Sequence, residues 1–141
     1  MLLSNPYTFS NLSDNTIQSL RSLDGLGTTT DEYLRFLSLC GRQYRRRNAD
    51  KSYPPSSMIY RIWEMHATSD PSGYRQCCIE IGADDLPFTP MEPSRDYIEF
   101  LVDMERYSQL LLQYSRVFGP YRNKNCWEPL LTCVLWRDWE T

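Results

Sequence analysis

The chain has 141 residues, 41% of them hydrophobic and 13% aromatic, with a net charge of −3; this size and apolar content suit one hydrophobic core. Its mild acidity argues against general nucleic-acid binding, which draws on a basic domain, and no apolar run approaches the roughly 18 residues that a membrane crossing needs. Met1–Leu3 lacks the flanking charge of a signal peptide, so the expectation is a single helical domain over 1–141, loosely ordered over 1–11, intracellular and cytoplasmic.

The first predicted helix runs from Asp14 to Leu23, with Ser13 as its N-cap and Ile17, Leu20 and Leu23 on one face. The second opens on Thr29-Thr30-Asp31-Glu32, which reads as a capping box in which Glu32 reaches back to the N-cap amide. Tyr33, Phe36, Leu37, Cys40 and Tyr44 then recur at helical spacing. Arg42, Arg45, Arg46 and Arg47 gather in its last turns, where positive charge complements the helix dipole.

Lys51 to Pro55 breaks that helix. Ser56 or Ser57 caps a third, which places Ile59, Ile62, Trp63 and His66 on one face. Asp70-Pro71 starts a fourth, carrying Tyr74, Cys77, Cys78 and Ile81 inward and stopping at Gly82. Residues Ala83 to Pro93 are expected to form an ordered connection over the surface. The most strongly patterned helix follows from Ser94 to Phe118: Phe100, Met104, Tyr107, Leu111, Tyr114 and Phe118 make one stripe, and Gly119-Pro120 ends it. Ile98 and Val102 fall among its polar positions, so this helix is expected to be covered on a second side. In the apolar tail, Leu130–Trp136 fits helix and strand equally well. The fold expected is therefore all-α, a compact bundle of about five helices.

The chain has a single histidine and five cysteines with no C-x-x-C pair. Free thiols in a reducing compartment fit that count, and neither a metal site nor a cofactor is implied. Buried packing is the commoner use of Cys and of a lone His on an apolar face. The sharper alternative groups Glu64, His66 and Cys77 or Cys78 into a catalytic, metal or ligand site.

From Glu32 to Trp127 the chain resembles the glycine-rich domain-containing protein-like family. Shared landmarks, in order, are Glu32-Tyr33-Leu34-Arg35-Phe36-Leu37, Pro55-Ser56, Trp63-Glu64-Met65-His66, Tyr74 with Cys77 and Cys78, Phe88-Thr89-Pro90, the helix ending Phe118-Gly119, and Trp127. The apolar landmarks match, whereas Tyr60, Glu64 and Phe88 stand where that family carries Asp, His and His. The resemblance thus implies a helical fold and a ligand or metal site, if the family has one there, that is lost or altered in this chain.

These residues favour a protein-binding module without catalysis, with Arg45, Arg46, Arg47, Ile98, Val102, Trp136 and Trp139 as partner-binding candidates. An enzyme or ligand-binding domain using His66 is the first alternative. Phosphate or nucleic-acid binding through Arg42–Arg47 is the second. The expected partner is another protein, including a second copy of the chain.

Overall fold

The computed structural model describes residues 9–23, 27–47, 53–90, 95–120 and 126–127, with the side chains of 27, 28 and 47 left aside. Within them lie α1 (Asp14–Arg21), α2 (Gly27–Arg47), α3 (Ser57–Ser69), α4 (Pro71–Glu80) and α5 (Tyr97–Phe118), and no strand. The fold is a compact all-α bundle. Trp136, Trp139 and the rest of the tail after Trp127 lie outside the described residues, as does most of the N-terminal stretch expected to be loose. No described helix is long and apolar enough to cross a membrane.

Local chemistry sets most helix starts. The Ser13 hydroxyl accepts from the Thr16 amide at 3.2 Å, the Ser56 hydroxyl from Ile59 at 3.3 Å, and Asp70 Oδ1 from Gly73 at 3.2 Å ahead of Pro71. Each satisfies an amide that the first helical turn leaves without an internal partner. Asp96 caps α5 in the same way through the Glu99 amide at 2.9 Å, so this helix begins at Tyr97 rather than Ser94. At its other end Gly119 adopts a φ of 81°, a conformation open to glycine at no steric penalty. The start of α1 is also tied to a distant element: Glu80, at the end of α4, accepts from the Ser13 amide at 2.5 Å and the Thr16 hydroxyl at 2.7 Å.

The centre of the bundle is α2, which packs on α3 and α5, while α4 packs on α3 and α1. From Thr29 to Gly41 every residue except Asp31 is buried. The expected single apolar face therefore becomes a helix covered all round. That burial overturns the capping-box reading. The helix already runs through Thr29, and both Glu32 oxygens are held by side chains from elsewhere in the fold. On α5 the core face is also turned from the expected stripe: Asp103, Tyr107, Leu110 and Tyr114 are buried, while Phe100, Met104, Leu111 and Phe118 are partly exposed.

The connection after α4 enters the core instead of only crossing the surface. Ala83 and Leu86 are buried, and Phe88 meets Trp63 edge-on at 5.1 Å. Gly41 makes this possible, because a β-carbon there would lie 2.6 Å from Ala83 Cβ and 2.7 Å from its Cα. Gly41→Ala is expected to destabilise the fold by roughly 1–2 kcal/mol, overpacking outweighing the gain in helix propensity. Chemical denaturation checks this, and adding Ala83→Gly is expected to restore most of the loss.

Candidate functional site

Among the described residues, three places are candidates for a site. The first surrounds His66, on the buried face of α3. Its Nδ1 lies 2.8 Å from the Tyr33 hydroxyl, and its Nε2 lies 3.2 Å from Ser19 Oγ. Ser19 in turn donates to Asp70 Oδ2 at 2.8 Å. Serine, histidine and aspartate together suggest a hydrolytic triad, but the order of the protons differs from one.

Hydrogen bonds from Ser19 and the Gly73 amide hold the Asp70 carboxyl below its usual range, so it is ionised at neutral pH and can only accept. The single proton of Ser19 is thereby committed to Asp70. Ser19 Oγ must then accept from His66 Nε2–H, which leaves Nδ1 as the acceptor of the Tyr33 hydroxyl proton. A serine nucleophile needs the opposite, a bare imidazole nitrogen facing its hydroxyl. The chain of donors from Tyr33 through His66 and Ser19 to Asp70 therefore ties α2, α3, α1 and the start of α4 together. Burial pushes the imidazole down to about 4, the Asp70 charge opposing it only in part. It is neutral at pH 7.

The other members of the expected ligand group do not join it. Glu64 is exposed and accepts from the Tyr60 hydroxyl at 3.1 Å. Cys77 is fully buried, and its thiol is raised by burial first and by the neighbouring Cys78 second. Burial lifts Cys78 to about 11. Both are thiols rather than thiolates at neutral pH, contrary to what a cysteine nucleophile requires. Among the described residues no group of three or more His, Cys, Asp and Glu side chains is placed to hold a metal ion.

The second place is a charged cluster that sequence reading missed. Glu32 and Arg35 are 0% and 2% exposed and form an ion pair across one helical turn. Glu32 Oε1 also accepts from the Tyr114 hydroxyl at 2.5 Å and Oε2 from Trp127 Nε1 at 2.6 Å. The Arg35 guanidinium lies 5.9 Å from the Phe118 ring centre. Burial, reinforced by the hydrogen bond to Glu32, pushes Tyr114 up to about 12, so it stays a donor. This cluster clamps α2, α5 and Trp127 together and is closed to solvent.

The third place is the outer surface. Opposite its core face, α5 presents Tyr97, Ile98, Leu101, Val102 and Leu112, between 45% and 73% exposed. Ile98 and Val102 are thus uncovered among the described residues, where a second covering was expected. Beside this stripe a groove of about 530 Å³ separates α2 from α5, with Arg42, Arg46 and Arg106 in its walls. The structure divides the arginine run, since Arg46 lines the groove, Arg45 is exposed outside it, and the Arg47 side chain lies outside the described residues. Comparison with known protein families, characterised proteins and solved structures finds no match to this chain.

Proposed function

We propose that the protein is a non-catalytic binding module whose outer α5 face receives an amphipathic helix of a partner protein. The observation that carries this reading is the apolar stripe of Tyr97, Ile98, Leu101, Val102 and Leu112. Tyr97 with Leu101 and Ile98 with Val102 are pairs one turn apart, and Leu112 lies on the same side ten residues further on, so the face spans about 22 Å, the length of four turns. Helix-in-groove and helix-on-helix recognition use anchors in this register. Glu105 is exposed within the stripe, with Gln109 as its neighbour at 3.0 Å. A partner helix would leave that carboxylate desolvated unless a lysine or arginine faced it. The partner is accordingly a helix of about four turns, apolar along one side and bearing a basic residue near its middle.

Support also comes from the buried polar groups around His66 and Glu32, which are spent on one another. The reading includes a reducing, cytoplasmic setting, supported by four described cysteines that are buried free thiols. Membership of the family resembled in sequence is part of the same proposal; Phe36, Trp63, His66, Tyr74 and Trp127 on which it rests are all buried.

The test is cross-linking and quantitative mass spectrometry of the full chain in its native cell, comparing the wild type with Ile98→Asp/Val102→Asp. Both positions are exposed, so stability should change by less than about 0.5 kcal/mol. Expected is a recurrent partner, cross-linked through an amphipathic helix, that the variant loses and whose isolated helix binds the wild-type chain. Cross-links between two copies through this face, or the same partners with both chains, would overturn the proposal.

A further inference from the structure

The groove beside the stripe shares Glu105 and Gln109 with it, but its three arginines carry chemistry that helix recognition does not use. Its walls come from Leu39, Arg42, Gln43 and Arg46 of α2 and from Glu105, Arg106, Gln109, Gln113 and Val117 of α5, with Tyr53 closing one end. Among the described residues that line it, three arginines accompany one carboxylate in a chain whose net charge is −3. Arg106 also lies 3.6 Å from Asp103, behind the groove. Arg42 and Arg46 stand one turn apart, and like charges at that spacing repel.

A solvated helix end accounts for the arginines of α2, because cations there offset the helix dipole. It accounts for neither of two further features. Arg106 belongs to the middle of α5, yet faces the same space. Gln43 Oε1 is buried and has no hydrogen-bond partner among the described residues, an arrangement that is unfavourable when nothing satisfies the acceptor. Cations and a buried acceptor in one cleft ask for a ligand that is anionic at one end and donates a hydroxyl at the other.

We propose that this groove binds a small phosphate monoester bearing hydroxyl groups. The phosphate sits between Arg42, Arg46 and Arg106, where charge-assisted hydrogen bonds are strongest. A hydroxyl of the same molecule donates to Gln43 Oε1 once the partly buried side chain turns its amide into the cleft. The volume of about 530 Å³ is that of a small-molecule site and too small for a nucleic-acid duplex. Glu105 disfavours ligands with a second anionic group at its end of the cleft.

Isothermal titration of the full chain with ribose 5-phosphate, inorganic phosphate, free ribose and sulfate tests the proposal. Ribose 5-phosphate is expected to bind saturably, at least about tenfold more tightly than phosphate or sulfate, with free ribose silent. Arg42→Gln/Arg46→Gln should weaken it by a further factor of about ten, with an unchanged helical spectrum because both side chains are exposed. Gln43→Leu should bring ribose 5-phosphate down to the level of inorganic phosphate, while Ile98→Asp/Val102→Asp leaves it unaltered. Absence of saturable binding, equal binding by the double arginine variant, or equal binding of sulfate, which would mark an adventitious ion only, overturns it. Tighter binding of a phosphoserine peptide than of ribose 5-phosphate overturns the small-molecule assignment.

Discussion

Replacing Glu32 by alanine is expected to destabilise the protein by about 3–5 kcal/mol, the usual effect of removing one member of a buried ion pair. The loss has several parts. Arg35 would keep its charge at 2% exposure, and the Tyr114 hydroxyl and Trp127 Nε1 would lose the acceptor they share. Much of the effect is the isolated arginine rather than the worth of the pair. Glu32→Leu/Arg35→Leu should therefore be considerably more stable than Glu32→Ala, since apolar replacement of both partners removes the unpaired charge. Urea denaturation of the single and double variants gives the coupling directly. A loss below about 1 kcal/mol for Glu32→Ala, or a double variant as unstable as the sum of the singles, would show that the cluster is more solvated than its geometry indicates.

The second large effect is the response to acid. His66 is about 4 in the folded chain against an ordinary value of 6.5, so between those values the unfolded chain holds a proton that the folded chain refuses. Stability is then complete above pH 6.5 and falls as the pH drops toward 4, by roughly 3 kcal/mol over the window. The depressed Asp70 and Glu80 carboxyls act in the same direction lower on the scale. His66→Gln should be less stable at pH 7 and nearly flat between pH 6.5 and 5. A wild-type stability that does not change over that range would contradict neutral burial of the ring.

Much of the scaffold is legible in the sequence because it is local. Ser13, Ser56 and Asp70-Pro71 announce helix starts through chemistry confined to a few residues, and Ile59, Ile62, Trp63 and His66 share a face by spacing alone. What escaped reading depends on distant partners. Glu32 looked like a capping residue because its real partners, Tyr114 and Trp127, are 82 and 95 residues away. Glu32 and Arg35 stand one turn apart on α2, and each charge is what permits the other to be buried. The relay around His66 escaped for the same reason, since Ser19 carries no local signal of its place 47 residues from the ring it meets. Phe100 and Met104 made the α5 stripe look centred elsewhere. The buried Asp103 and Leu110 show that packing against α2, and not the greatest apolar density, sets the inward face.

The outer side of α5 now carries the central claim. Oxidative footprinting of the full chain, alone and with the partner recovered from its native cell, tests it most directly. The account predicts that modification of Tyr97, Leu101 and Leu112 falls severalfold in the complex, while Met58, Met65 and Ile79, the large exposed apolar side chains outside α5 among the described residues, react as before. Unchanged modification along α5, with protection at Met58, Met65 or Ile79 instead, would contradict it.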